Sequence, residues 1–356
     1  MKRQRLLILS VITIAVIITA AVFNQSRAPQ KTIEKETLFP ELANKINDVT
    51  RIEIKSSEDP DVILQKMQGG QWALQSADDY PAQFDKVKDV VVSLSQLKIL
   101  ATKTDNPRLY PELGVEGPEG NNTSSLLLTL SDQSGTALAS LIVGKPRKSN
   151  TGSNRPNLYV RKADAKNALL VEGYLQLKSN NNAWYERNVI HIPASRIQGV
   201  DIMKSNGAQL LIRKHAKGDT DFKVIEGYTA SPSVLLNKLG TFFEDMHVEG
   251  VHAANNFEFP DDVTITIFTT FNGLIITVKN VLTNGKAYAH FSFKISTTSS
   301  SPLNTEAGDG TPESHSETIS VEEESQLWNQ FLSHWVYEIP EFKFETLDVN
   351  VAQASE

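Results

Sequence analysis

The chain of 356 residues contains no cysteine. Disulfides, thiolate metal sites, a cysteine nucleophile and a lipid-modified N-terminal cysteine are excluded together, so packing alone stabilises whatever folds. Charge of neither sign is in large excess: 35 Lys and Arg stand against 42 Asp and Glu, for a formal net charge of −7. Such mild acidity lacks the basic face of a nucleic-acid platform, and no nucleic-acid partner is expected. Phosphate loops are missing too. Gly144-Lys145-Pro146 has neither the upstream glycine nor the following Ser or Thr, and no G-x-G-x-x-G follows a strand. No G-x-S-x-G is present to expose a serine at a strand-to-helix turn. Of the 7 histidines only His247 and His252 lie close, with Glu244, Asp245 and Glu249 nearby. Their spacing of five does not put both on one helical face, so polar residues of a helix end and loop are expected there rather than metal ligands. Asp261-Asp262, ahead of a strand, reads as a turn rather than a general acid and base. No catalytic, cofactor-binding or metal-binding residue is assigned, no cofactor is expected, and the chain is read as a non-enzyme.

What the chain does contain is one long apolar run, residues 6–23 (LLILSVITIAVIITAAVF), behind a basic head, 1–5, with Lys2, Arg3 and Arg5. As a helix this run would reach roughly 27 Å, close to the hydrocarbon thickness of a bilayer. Its many Leu, Ile, Val and Phe outweigh Ser10, Thr13 and Thr19 on insertion scales. A cleaved signal peptide and an uncleaved signal anchor both fit. Thr19-Ala20-Ala21 offers small residues for cleavage, but the run exceeds the usual signal core, which favours the anchor. Arg27, Lys31 and Lys35 follow the span, yet the leading basic residues sit closer to the lipid. The expectation is a single-pass protein of the inner (cytoplasmic) membrane, with the large domain in the periplasm or outside the cell.

Residues 24–45 read as a polar tether. Strand-like runs at Val49, Ile52 and Ile54, at Val62-Ile63-Leu64 and at Gln71-Trp72-Ala73-Leu74, with Gly69-Gly70 as a turn before the third, predict a small antiparallel meander. Pro81 is placed in the first turn of a helix whose face is Phe84, Val87, Val91 and Leu94 and which ends near Leu100. Short strands follow at 126–130, 138–143, 158–160 and 169–171, with 145–157 as a basic, solvated hairpin loop. The same order then returns. Strands at 200–202, 210–212 and 222–225 precede a helix opened by Ser231-Pro232, with Leu235, Leu239, Phe242 and Met246 on its face. Strands at 263–268, 274–278 and 288–293 lead to a helix-like end carrying Leu327, Phe331 and Trp335. Spacings support the duplication: Phe222 follows Trp72 by 150 residues, Pro232 follows Pro81 by 151, Val321-Glu322 follow Val171-Glu172 by 150, and Trp335 follows Trp184 by 151.

The expected fold class is α+β: an N-terminal transmembrane helix, then two tandem, pseudo-symmetric modules, 46–195 and 196–347, each a mostly antiparallel sheet with a packed helix. Residues 296–318, rich in Ser, Thr, Pro and acid, are expected to form a disordered insertion in the second module, and 348–356 a polar tail. Trp72, Trp184, Trp328 and Trp335 are expected in the core.

Taken in order, GQWAL at 70–74, YPA at 80–82, YPELG at 110–114, LIVG at 141–144, LYVR at 158–161 and WYER at 184–187 resemble the bacterial family catalogued as domain of unknown function 4340. The likeness runs over residues 46–340 and is densest in the first module; the insertion at 296–318 departs from it. The resemblance implies a membrane-anchored protein. For some members it implies association with ABC transporter permeases and ATPases, including accessory proteins of gliding-motility transporters, and it brings no catalytic residues. The expected function is that of a membrane-anchored extracytoplasmic accessory or interaction protein of the bacterial envelope, held in the membrane by residues 6–23 and partnered by an ABC transporter permease or other envelope proteins. The alternative is a solute- or glycan-binding domain using a cleft between the modules.

Overall fold

The computed structural model describes residues 36–120, 123–147, 156–228, 233–296 and 319–349. The apolar run 6–23, the Ser231-Pro232 helix start, the insertion from 297 onward and the tail from 350 lie outside the described residues. Among those that are described, no helix is long and apolar enough to cross a membrane.

The fold is α+β, built on large antiparallel sheets with few helices. The first half of the chain supplies β1 (Arg51–Lys55), β2 (Val62–Lys66), β3 (Trp72–Leu74), β4 (Tyr80–Pro81), helix α1 (Phe84–Ser95), β5 (Lys98–Thr104), the short helix α2 (Tyr110–Leu113), β6 (Leu126–Ser131), β7 (Ala137–Arg147), β8 (Asn157–Lys162) and β9 (Ala168–Glu172). These nine strands form one sheet in the order β4-β3-β2-β1-β6-β7-β8-β9-β5. In β1 the period of two is explicit: Ile52 and Ile54 are fully buried, while Arg51, Glu53 and Lys55 point the other way.

The second half supplies β10 (Asn188–Ile190), β11 (Ile197–Met203), β12 (Gln209–Arg213), β13 (Lys223–Val224), α3 (Ser233–Gly240), β14 (Met246–His247), β15 (Gly250–Ala253), β16 (Thr264–Thr270), β17 (Leu274–Thr283), β18 (Lys286–Ile295), α4 (Val321–Leu332), β19 (Trp335–Ile339) and α5 (Glu341–Leu347). Eight of these strands form a sheet in the order β13-β12-β11-β16-β17-β18-β19-β15, which repeats that of the first sheet from β3 to β5; β10 pairs separately with β14. Asn284-Gly285, both with positive φ, close β17 onto β18 in the two-residue turn whose twist suits a hairpin.

One continuous apolar core runs through both sheets. At their junction the Tyr80 ring meets the edges of Trp335 at 4.8 Å and Tyr185 at 5.1 Å, and Tyr337 stacks on Phe291 at 5.5 Å. The Ala253 N–H on β15 donates to Asp78 Oδ2 at 2.9 Å, which ties an edge of the second sheet to the turn before β4.

Several expectations fail, each for a local reason. The tether does not reach residue 45: Leu38 and Leu42 are in the core, and the Leu38 N–H donates to Leu97 O at 2.8 Å. Pro81 belongs to edge strand β4, and α1 begins three residues later, because Asp78 and Asp79 both take left-handed conformations that turn the chain back. Phe84, at the first turn of α1, is exposed, and Val90 joins Val87, Val91 and Leu94 on the buried face. The helix stops at Ser95, and β5 follows. α3 ends at Gly240, where a Cβ would stand 2.5 Å from the Phe222 ring; Phe242 is buried in the turn beyond, and Met246 lies in β14. Leu327 and Phe331 face outward from α4, which turns Glu324, Ser325 and Leu332 inward instead.

The constant residue spacing also fails. Val171-Glu172 lie in β9 but Val321-Glu322 open α4, and Trp184 follows β9 whereas Trp335 begins β19. The strand that matches β9 is β19, displaced because α4 and the segment before it are inserted between β18 and β19. Strand order therefore repeats where residue spacing does not.

Candidate functional site

The N-terminus of α1 is fastened to the segment that leaves the first sheet after β9. The Gln83 N–H donates to Trp184 O at 2.7 Å, and Lys86 Nζ donates to Ala183 O at 2.7 Å. Between α1 and residues 174–187 this leaves a groove of about 680 Å³, with Lys86, Asp89, Tyr174, Lys178, Trp184 and Arg187 on its walls. A second hollow of about 430 Å³ shares Lys86, Asn182 and Arg187 with it and continues toward Asp245 and His247 of the second half. The two adjoin at these shared residues, where the first half of the chain meets the second, and the pair is the junction channel.

Hydrogen bonds made by the lining residues hold its walls. Trp184 is buried and donates its Nε1–H to Lys178 O at 3.2 Å, and the Tyr185 hydroxyl donates to Asn182 Oδ1 at 2.6 Å. Arg187 Nε donates to Val248 O at 2.9 Å, which bridges the halves and leaves its terminal nitrogens without a partner among the described residues. Lys178 Nζ, the Gln176 amide and Asn182 Nδ2 are likewise free among those residues. The far end of the channel rests on Lys343, a buried lysine of α5. Its Nζ donates to Phe242 O at 2.8 Å and Glu244 O at 2.5 Å, which fixes the turn that presents Asp245 and His247. Burial pushes this ammonium below the usual lysine range, against the pull of Asp245 and Glu244.

Three cations and several free amides against Asp89 make the main groove a donor-rich, locally positive surface on an acidic protein. Free N–H donors with nothing opposite them suit ligands rich in oxygen acceptors, and such groups are stronger partners when the ligand is anionic.

The residues singled out from sequence are dispersed. His247 lies at the channel's end, with Nδ1 3.4 Å from Asp245 O. His252 sits in β15 beside the rings of Phe257 and Tyr288, which contact each other at 4.9 Å. Glu244 Oε1 accepts from the Ala194 N–H at 2.7 Å, and Asp262 Oδ1 accepts from the Ser205 hydroxyl at 2.6 Å. Among the described residues no three His, Asp or Glu side chains gather to hold a metal. Trp72 and Trp184 are buried, while Trp328 and Trp335 are partly buried against the core.

Four of the sequence motifs fall in two places, while GQWAL and YPA form β3 and β4. YPELG, LIVG and LYVR meet at one end of the first sheet. Gly114 caps α2 in a left-handed conformation, and Gly144 passes so close that a Cβ there would stand 2.4 Å from Leu113 O. Arg161 lies over the Tyr110 ring at 4.7 Å and donates from Nε to Val115 O at 2.9 Å. That cluster is structural. WYER alone reaches the channel, and its mixture of aromatics and charge, one residue after three asparagines, is the one local signal that could have pointed there. No curated protein and no solved structure matches the chain. The family described as "Domain of unknown function (DUF4340)" matches over residues 72–256, a stretch that holds the whole channel and crosses from one sheet into the other. With more than half of its length matched, the chain belongs to the DUF4340 family.

Proposed function

We propose that this protein is a membrane-tethered extracytoplasmic interaction protein of two tandem modules, anchored in the inner membrane by residues 6–23, whose junction channel docks an acidic segment of an envelope partner. An ABC transporter permease is the partner class implied by the family resemblance. The observation that carries the reading is the set of donors without a partner among the described residues on Lys178, Arg187 and the neighbouring amides, gathered in the groove beside α1, where Arg187 reaches across to Val248 of the second half. A docked acidic segment would pair these cations and contact both halves at once. The association would weaken as salt rises, since exposed charges are screened within a Debye length of roughly 8–10 Å.

The test is crosslinking and affinity recovery of the full chain after mild detergent extraction. The unaltered chain should bring down a membrane partner, and Lys178→Glu combined with Arg187→Glu should abolish its recovery. Lys178→Glu alone, at an exposed position, guards against a folding defect and should reduce recovery. Retrieval of the bare chain alone under crosslinking would defeat the proposal. The volume of the groove, about 680 Å³, also falls in the range of small-molecule sites, roughly 300–1,000 Å³. A solute or glycan in the same groove is therefore the second reading, detected as a ligand-dependent thermal shift without a protein partner.

A further inference from the structure

After β19 the chain turns at Pro340 into α5, but after the matching β9 it runs on outside any helix or strand as residues 174–180, YLQLKSN. Exposure along this stretch alternates. Leu175 is buried and Leu177 packs against the core, whereas Tyr174, Gln176, Lys178 and Asn180 are exposed, and all four line the groove beside α1. A period of two is that of an extended chain, and Asn180 at its end has φ −109° and ψ 147°. At about 3.3 Å per residue the row from Tyr174 to Asn180 is roughly 20 Å long.

The main chain of this stretch is unpaired. The N–H groups of residues 174–179 and the carbonyls of 174–177 meet no hydrogen-bond partner among the described residues. Open N–H and C=O groups on an extended chain are what a strand edge offers, and a second extended segment adds to such an edge through main-chain bonds.

Charge fixes what the added segment carries. Cross-strand side chains point to the same side of a pair, so every second residue of the added segment faces the groove. There it meets Lys178 on the same stretch and Lys86 and Arg187 on the walls, with Asp89 the single acid among the described lining residues.

We infer that the partner's acidic segment docks as an extended strand along residues 174–179, held by main-chain hydrogen bonds and carrying its acids at alternate positions. The inference rests on the docking reading above and specifies the conformation and spacing of what docks.

Fluorescence anisotropy of the full chain in mild detergent tests this, with a labelled, end-capped peptide TEVEVET as the probe. Two versions carry three backbone N-methyl groups each, one on the glutamates and one on the residues that follow them, because alternate amides of a strand point to opposite edges. One version should bind at least about tenfold more weakly than the other, since it alone loses the bonds to 174–179. TVEEEVT, with the same composition but contiguous acids, should bind more weakly than TEVEVET. Amide hydrogen exchange at 174–179 should slow in the complex. Absence of binding by TEVEVET, equal binding by the two methylated versions, or unchanged exchange at 174–179 would each overturn the strand pairing. Docking itself is judged separately by recovery of a membrane partner, so a chain that recovers its partner but shows none of these effects loses the strand pairing alone.

Discussion

The two sheets reach one strand order by different means. The first is pinned at one end by backbone approach: Gly144 lies against the carbonyls of Leu113 and Gly114, and Arg161 fastens the loop beside them through Val115 O and Glu116 O. The second places α4 over β18 and fastens it with a bidentate ion pair, Arg196 to Glu324 at 2.7 and 2.8 Å. Its longest hairpin is closed by Asn284-Gly285, where a Cβ on the glycine would meet open space. The contrast teaches that topology is carried by the alternating apolar face, while the devices at the rims are free to differ. What the halves share physically is the aromatic junction of Tyr80, Tyr185, Trp335 and Tyr337.

The largest expected effect strikes that junction. Burial holds the phenols of Tyr80, Tyr185 and Tyr337 above the ordinary tyrosine value of 10.0. A group whose folded value is raised contributes stability that is fully present below the unfolded value and lost as pH rises through the folded one. The fold should therefore hold below pH 10 and open above it, with tyrosinate absorbance and near-UV circular dichroism changing together. Phenols that titrate at the free-tyrosine value while the fold persists would contradict the buried junction.

Tyr80→Ala should cost about 3–5 kcal/mol and, if the halves are coupled through this ring, split the urea transition into two. Retention of a single sharp transition would place the coupling elsewhere. Gly144→Ala should cost about 2–3 kcal/mol, because the methyl group meets backbone that cannot yield. Gly285→Ala, with space around it and only the positive φ to oppose it, should cost about 1–2 kcal/mol. Equal costs at the two glycines would remove the distinction between the rims. Smallest of all, Phe331→Ser on the outward face of α4 should change stability by no more than about 0.5 kcal/mol in chemical denaturation.

Much of the strand plan was legible because alternation is a local signal: β1, β16 and β18 write their buried face into every second residue. β5 was missed because none of its residues is fully buried, so no apolar alternation marks it, and β15 because four residues are too few to show a period. α3 was read too long because Phe242 and Met246 continue the helical spacing, although the chain passes after Gly240 into tighter turns, with the Thr241 N–H donating to Lys238 O at 3.1 Å and the Phe242 N–H to Leu239 O at 3.2 Å. Phe331 was read inward because an apolar residue at helical spacing carries no mark of which side its helix will cover. The channel escaped notice for a stronger reason: Lys86 and Ala183 come together only through the fold, and nothing near either residue announces the other.

Sequence by itself determined the cysteine-free composition, the uncharged run at 6–23, the antiparallel α+β class and the family, since these depend on composition and on patterns a few residues long. Tertiary structure alone decided that two sheets repeat one strand order despite unequal spacing, that WYER lines a channel, and that Asn280 lies buried without a hydrogen-bond partner among the described residues. Each of these depends on which distant residues come to face one another, and side-chain alternation says which way a residue points but not what it meets.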